Sequence, residues 1–143
     1  MINFSIPAND EYTAMLGRTI YNFTYYEWAV VWTIEKIQPG YLQWYSEEGP
    51  TAGRVAKKFA DVIGGLDARL GPCATDFDRL RVERDKLLHA HPYTSADGVQ
   101  QLGYQGRHPS TEWPFAEVED AARKFDAAAC ELIGLFYQLW PST

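Results

Sequence analysis

Residues 10–38 constrain this chain more than any other segment. At 100° per residue, Tyr12, Leu16, Ile20, Phe23, Val30, Ile34 and Ile37 fall in one sector, no proline interrupts them, and Gln38-Pro39-Gly40 supplies a stop. A helix of that length runs about 42 Å, so other helices must cover its apolar stripe along most of that distance. The rest of the chain supplies them. A short aromatic connection, Tyr41 to Tyr45, leads through Gly49-Pro50 to Thr51, an N-cap for a second helix with Val55, Phe59, Val62, Ile63, Leu66 and Leu70 on one side, ended by Gly71-Pro72. A third helix is predicted from about Thr75 to His89 or His91, because Pro92 biases its predecessor away from helix. Residues 93–110 hold Asp97, Gly98, Gly103, Gly106 and Pro109 and read as an irregular loop, in which Val99 to Tyr104 could at most make a short hairpin. Ser110 or Thr111 then opens a fourth helix with Phe115, Val118, Ala122, Phe125, Ala129, Leu132, Ile133 and Phe136 on one face, reaching Trp140. The expectation is an all-α fold: one domain over 1–143, a four-helix bundle antiparallel between neighbours, with the loop at about 93–110 before the last helix.

Composition sets the limits on function. The 143 residues are 46% hydrophobic, enough for one core, with no apolar run approaching the ~20 residues of a membrane span. The N-terminus has neither a basic leader nor a hydrophobic signal core, so a cytoplasmic location without a membrane partner is expected. Cys73 and Cys130 lie far apart without metal-ligand spacing and read as small hydrophobes. Only three histidines occur, and no carboxylate motif completes a ligand set around His89-Ala90-His91, so neither metal nor cofactor is expected. A net charge of -6 argues against indiscriminate binding to long nucleic acid, and no DNA partner is predicted; any nucleic-acid contact must be local. Phosphate-loop, serine-nucleophile and dinucleotide motifs are missing.

Two charges interrupt apolar stripes. Glu27 falls in the middle of the first, and Arg84 lies near the centre of the Phe77, Leu80, Leu87, Leu88 stripe of the third helix. Either charge left alone in a core costs several kcal/mol, so the two are expected to bond to each other, whether as a register-fixing salt bridge or as part of a working site. His89 lies about 140° around the helix from Arg84, so one helix cannot easily aim both at one atom, whereas two symmetry-related copies could converge on a shared cleft. Tyr21, Tyr25, Trp28 and Trp32 recur at i, i+4, i+7, i+11 opposite the core stripe, expected to be covered by a second subunit or by the same chain.

Arginine, a polar residue, three more, then histidine near a helix end in a four-helix bundle resembles the catalytic motif of the HEPN superfamily. Here it reads Arg84-Asp85-Lys86-Leu87-Leu88-His89. The resemblance implies a homodimeric, metal-independent endoribonuclease with a composite cleft, of the kind found as toxins of toxin-antitoxin pairs or as abortive-infection and phage-defence effectors. It implies His89 as acid/base, Arg84 as the phosphate and transition-state stabiliser, Asp85 as the orienting group, and products ending in 2',3'-cyclic phosphate and 5'-hydroxyl. That chemistry suits an imidazole and a guanidinium fork. An antitoxin or nucleotidyltransferase partner is also implied, although position 91 is histidine where some toxins of the family carry a modifiable tyrosine, and Tyr93 is the nearest one downstream. HEPN-like domains without catalysis also exist, so the alternative is a helical interaction module binding a protein or nucleotide partner.

The remaining candidates support that site or are structural. His91 assists in the cleft or caps the last carbonyls of the third helix. Arg107 and His108 reach over the cleft or stay solvated. Arg79, Arg81, Arg84 and Lys86 form one basic cluster and Arg54, Lys57 and Lys58 another, each a phosphate track or an ordinary charged face. Tyr93, Tyr104 and Trp113 either stack unpaired bases or pack.

Overall fold

The computed structural model describes residues 3–104 and 111–142. Five helices, α1 (Asp10–Ile37), α2 (Tyr41–Glu48), α3 (Ala52–Ile63), α4 (Leu70–Leu88) and α5 (Phe115–Leu139), are joined by three strands, β1 (His91–Thr94), β2 (Gln100–Tyr104) and β3 (Thr111–Trp113), placed between α4 and α5. The chain is thus mostly helical, as expected, with two departures. The Tyr41 to Tyr45 connection is itself helical, and the segment expected as an irregular loop carries an antiparallel sheet in the order β1-β2-β3. Residues 105–110 of that expected loop, with Arg107 and His108, lie outside the described residues.

Local chemistry explains the boundaries. Asn9 caps α1 by accepting from the Tyr12 N–H at 2.9 Å, with Asp10 and Glu11 in the first turn. Gly40, at φ 101°, makes the reversal into α2, and both carboxylate oxygens of Glu35 accept backbone N–H groups there. Thr51 caps α3, as expected. The end of α3 and the start of α4 differ from expectation: α3 stops at Ile63 before Gly64-Gly65, and Gly71-Pro72 belongs to the first turn of α4. A proline is tolerated there because first-turn N–H groups have no helical partner to lose. Leu70 therefore packs from α4, and Leu66 is left exposed. Pro114, not Ser110 or Thr111, precedes the last helix, because Thr111 to Trp113 pair with β2.

Side-chain pairings give the helix directions. Thr19 on α1 donates to the Val118 carbonyl of α5 and Asn22 to that of Ala122, so α1 and α5 run parallel. Glu83 pairs with Lys124, and Arg69 reaches Gln138, so α4 opposes α5. The groove between α3 and α4 matches Gly53 with Arg81 and Ile63 with Gly71, an antiparallel hairpin. Neighbours α1 and α5 therefore depart from the expected antiparallel arrangement. The reason is α2: its eight residues turn the chain back beside α1, with Tyr45 reaching Glu27, so that α3 starts about halfway along α1 and runs in the same direction. Phe23, Tyr26, Phe77 and Phe125 form the centre of the core, at ring-centroid distances of 5.1 to 6.2 Å.

The sheet closes one end of this bundle. The Tyr12 hydroxyl donates to the Trp113 carbonyl at 2.6 Å and accepts the Leu102 N–H at 3.0 Å, tying α1 to β2 and β3 at once. In register, His91 faces Gly103 and Tyr93 faces Gln101.

Candidate functional site

Because α3 begins only at Ala52, a groove of about 420 Å³ opens between α1, the α3 N-terminus and the C-terminal end of α4. Its walls include Glu27, Gly53, Arg81, Arg84, Asp85 and His89. Arg84 and His89, although about 140° apart on their helix, line this one opening in a single chain. Arg84 sits edge-on to the core, its guanidinium carbon 4.5 Å from the centroid of the Phe23 ring. One guanidinium nitrogen, Nη2, reaches Asp85 Oδ1 at 3.2 Å, while the buried Nε has no hydrogen-bond partner among the described residues. Asp85 stands between two arginines, since its other oxygen lies 3.8 Å from Arg81 Nη1. His89 is exposed as the C-cap of α4, its N–H bonded to the Asp85 carbonyl at 3.0 Å.

The expected bond between Glu27 and Arg84 is not made. Glu27 accepts instead from the Tyr45 hydroxyl at 2.6 Å, and Arg84 turns to Asp85. Both charges occupy the expected faces, but α2, unforeseen as a helix, inserts a phenol beside Glu27. That carboxylate and burial push the Tyr45 hydroxyl well above the usual tyrosine range, burial being the larger cause. Glu27 and Arg84 thus share the groove without neutralising each other.

The supporting residues divide. His91 is the first residue of β1, exposed and opposite Gly103, so it neither caps α4 nor lines the groove. Tyr93 is tied into the sheet: its oxygen accepts from Gln101 Nε2 at 2.6 Å and its ring lies against Gly103. Trp113, a candidate for stacking bases, is buried. Leu88, expected in the core, is half exposed at the groove rim, and Val82 is exposed one and a half turns earlier. No site role was expected for Tyr45 or Gly53, and Arg81 was expected only as a member of the Arg79, Arg81, Arg84 and Lys86 cluster. Arg81 carried a signal, its i, i+4 spacing to Asp85, whereas Tyr45 depends on how α2 folds back.

The aromatic stripe is not covered by this chain. Tyr21, Tyr25, Trp28 and Trp32 retain 43% to 62% of their surface, and Tyr25, Trp28 and Trp32, with Ile133, Phe136 and Tyr137 of α5, border an apolar groove of about 580 Å³. This face lies roughly 130° around α1 from Glu27, so it is separate from the Arg84 groove. Of the two cysteines read as small hydrophobes, Cys73 is buried and Cys130 exposed. Among the described residues no three His, Cys, Asp or Glu side chains gather as metal ligands do, and no helix is long and apolar enough to cross a membrane.

Comparison of the chain with protein-family models, with curated proteins and with solved structures returns no match.

Proposed function

We propose that this protein is a metal-independent endoribonuclease whose site is the Arg84–Asp85–His89 groove. The observation that carries the reading is the joint placement of a partly buried guanidinium and a solvent-facing imidazole on one open groove. A guanidinium fixed on an aromatic ring at the groove wall, its side chain 19% exposed, is a donor fork suited to a phosphodiester oxygen. Asp85 holds Arg84 by one nitrogen and leaves the other donors for the substrate. His89 takes the 2'-hydroxyl proton or returns one to the leaving 5'-oxygen, and Arg84 stabilises charge on the phosphorane between them. Attack of the 2'-oxygen on phosphorus breaks the bond to the 5'-oxygen, giving a 2',3'-cyclic phosphate and a 5'-hydroxyl. A second copy, docked over exposed Leu88 and Val82, completes the cleft from its open side. Action as a toxin or phage-defence effector, with an antitoxin or nucleotidyltransferase partner, belongs to the same proposal.

One observation favours a second reading. Arg84 stacked on Phe23 and paired with Asp85 is also what a purely structural arginine does, and the protein is then a non-catalytic interaction module. The test is cleavage of a panel of transfer and messenger RNAs in EDTA, with product ends analysed. Replacing His89 by alanine should lower the rate by about 100-fold or more, with the same products from the residual activity. Unchanged cleavage by a folded His89→Ala protein refutes the catalytic assignment.

A further inference from the structure

A second pocket lies on the other side of the α3 N-terminal turn. It holds about 500 Å³ and is bordered by Gly40, Tyr41 and Trp44 of the α2 turn and by Arg54, Lys57, Lys58 and Asp61 of α3. Three cations face one anion there, in a chain whose net charge is -6. Among the described residues none of the three is in an ion pair, as also holds for Arg18, Lys36 and Lys86, whereas Arg69, Arg79, Arg81, Arg84, Arg123 and Lys124 are paired. What sets these three apart is that they line one pocket with a single carboxylate, Asp61, among its walls. The Arg54 guanidinium lies 5.2 Å from the Trp44 ring centroid, and Trp44 in turn packs on Tyr41 at 5.4 Å. Cation and indole thus make a flat, partly exposed platform of the kind on which nucleic-acid bases stack.

We infer that this pocket binds a nucleotide of single-stranded RNA, with phosphate held by Arg54, Lys57 and Lys58 and the base stacked on the Trp44–Arg54 platform. The pocket adjoins the Arg84 groove through consecutive residues, since Gly53 lines the groove and Arg54 the pocket. A strand lying across the first turn of α3 therefore enters both. This inference rests on the endoribonuclease reading for its choice of RNA, but the pocket's binding is measured apart from cleavage.

The probe is a fluorescently labelled RNA single strand of about ten nucleotides, titrated by anisotropy into the His89→Ala protein so that it stays intact. Trp44→Ala should weaken binding about tenfold or more. Arg54→Gln and the double change Lys57→Gln, Lys58→Gln are on exposed or half-exposed positions; circular dichroism checks their folding. Each cation removed should lower the slope of log affinity against log salt by about 0.7. In the His89-intact protein the same changes should raise KM and leave kcat unchanged. If RNA is never cleaved yet binding depends on Trp44 and Arg54, the nuclease reading fails and the pocket assignment stands. The assignment is overturned if the single strand does not bind, if Arg84→Ala weakens binding and the pocket variants do not, or if inorganic polyphosphate of equal charge competes as well as RNA.

Discussion

Tyr12→Phe tests how the sheet is fastened to the helices. The substitution keeps the buried ring and removes one oxygen, which donates to the Trp113 carbonyl at 2.6 Å and accepts the Leu102 N–H at 3.0 Å. Two backbone groups lose their partner in a place water reaches poorly. At about 1–3 kcal/mol for each buried group left unsatisfied, the cost should be about 3 kcal/mol, a large part of the ~5–15 kcal/mol that holds a domain of this size. For a chain of this length, that corresponds to a fall in Tm of about 10 °C. Urea unfolding should show a lower midpoint with unchanged slope, since the surface exposed on unfolding is the same. Amide hydrogen exchange should accelerate at Leu102 and along β2 before it does in α1 or α5. A loss below about 0.5 kcal/mol, or uniform exchange across the chain, would show that the sheet is held by something other than this hydroxyl.

Other outcomes follow from single contacts. Gly103→Ala puts a methyl carbon 2.8 Å from Tyr93 Cε1, on a ring held by Gln101, and should destabilise by about 1–3 kcal/mol; in a Tyr93→Ala background the penalty should largely vanish. Glu27→Gln should bring the Tyr45 hydroxyl back toward the ordinary tyrosine range, seen in an ultraviolet difference titration of wild type, Tyr45→Phe and the Glu27 variant. Burial raises the phenols of Tyr12, Tyr26, Tyr41 and Tyr45, so the fold favours their neutral forms. Their contribution is complete below the unfolded value near about pH 10 and lost as pH rises toward the folded values, so stability should fall steeply in strong alkali. At the other limit, Arg69 holds Asp67 down to about 2, and backbone N–H groups lower Glu35. These contributions are present above about pH 4 and fade as pH falls through the folded values, so Asp67→Asn should flatten the acid limb of the stability curve.

Periodicity carried most of the helical architecture. The limits of α1 were readable because an unbroken stripe and the Gln38-Pro39-Gly40 stop agree. Misplacement of Gly71-Pro72 has a plain cause: the dipeptide ends a helix as well as it starts one, and only the packing of Leu70 onto α4's side of the core decides. Beyond the short hairpin allowed for Val99 to Tyr104, the sheet was not legible because segments of four, five and three residues are too short to show apolar alternation, and they are tied down by Tyr12, about 90 residues away. At the candidate site, Glu27 and Arg84 were legible as charges on apolar faces, yet the bond expected between them is not made. Asp85 stands next to Arg84 in the chain and was expected to orient it, whereas the phenol that meets Glu27 depends on how α2 folds back.

The brevity of α2 has an architectural consequence. Its eight residues set the level at which α3 joins the bundle, and the groove is the stretch of α1 and α4 that α3 begins too late to roof. One further turn in α2 would carry the Gly49-Pro50 corner about 5.4 Å toward the sheet and lower α3 across the Arg84 side chain. The width of the entrance is therefore a matter of chain length in a neighbouring segment, adjustable by insertion or deletion without altering any residue that faces the opening.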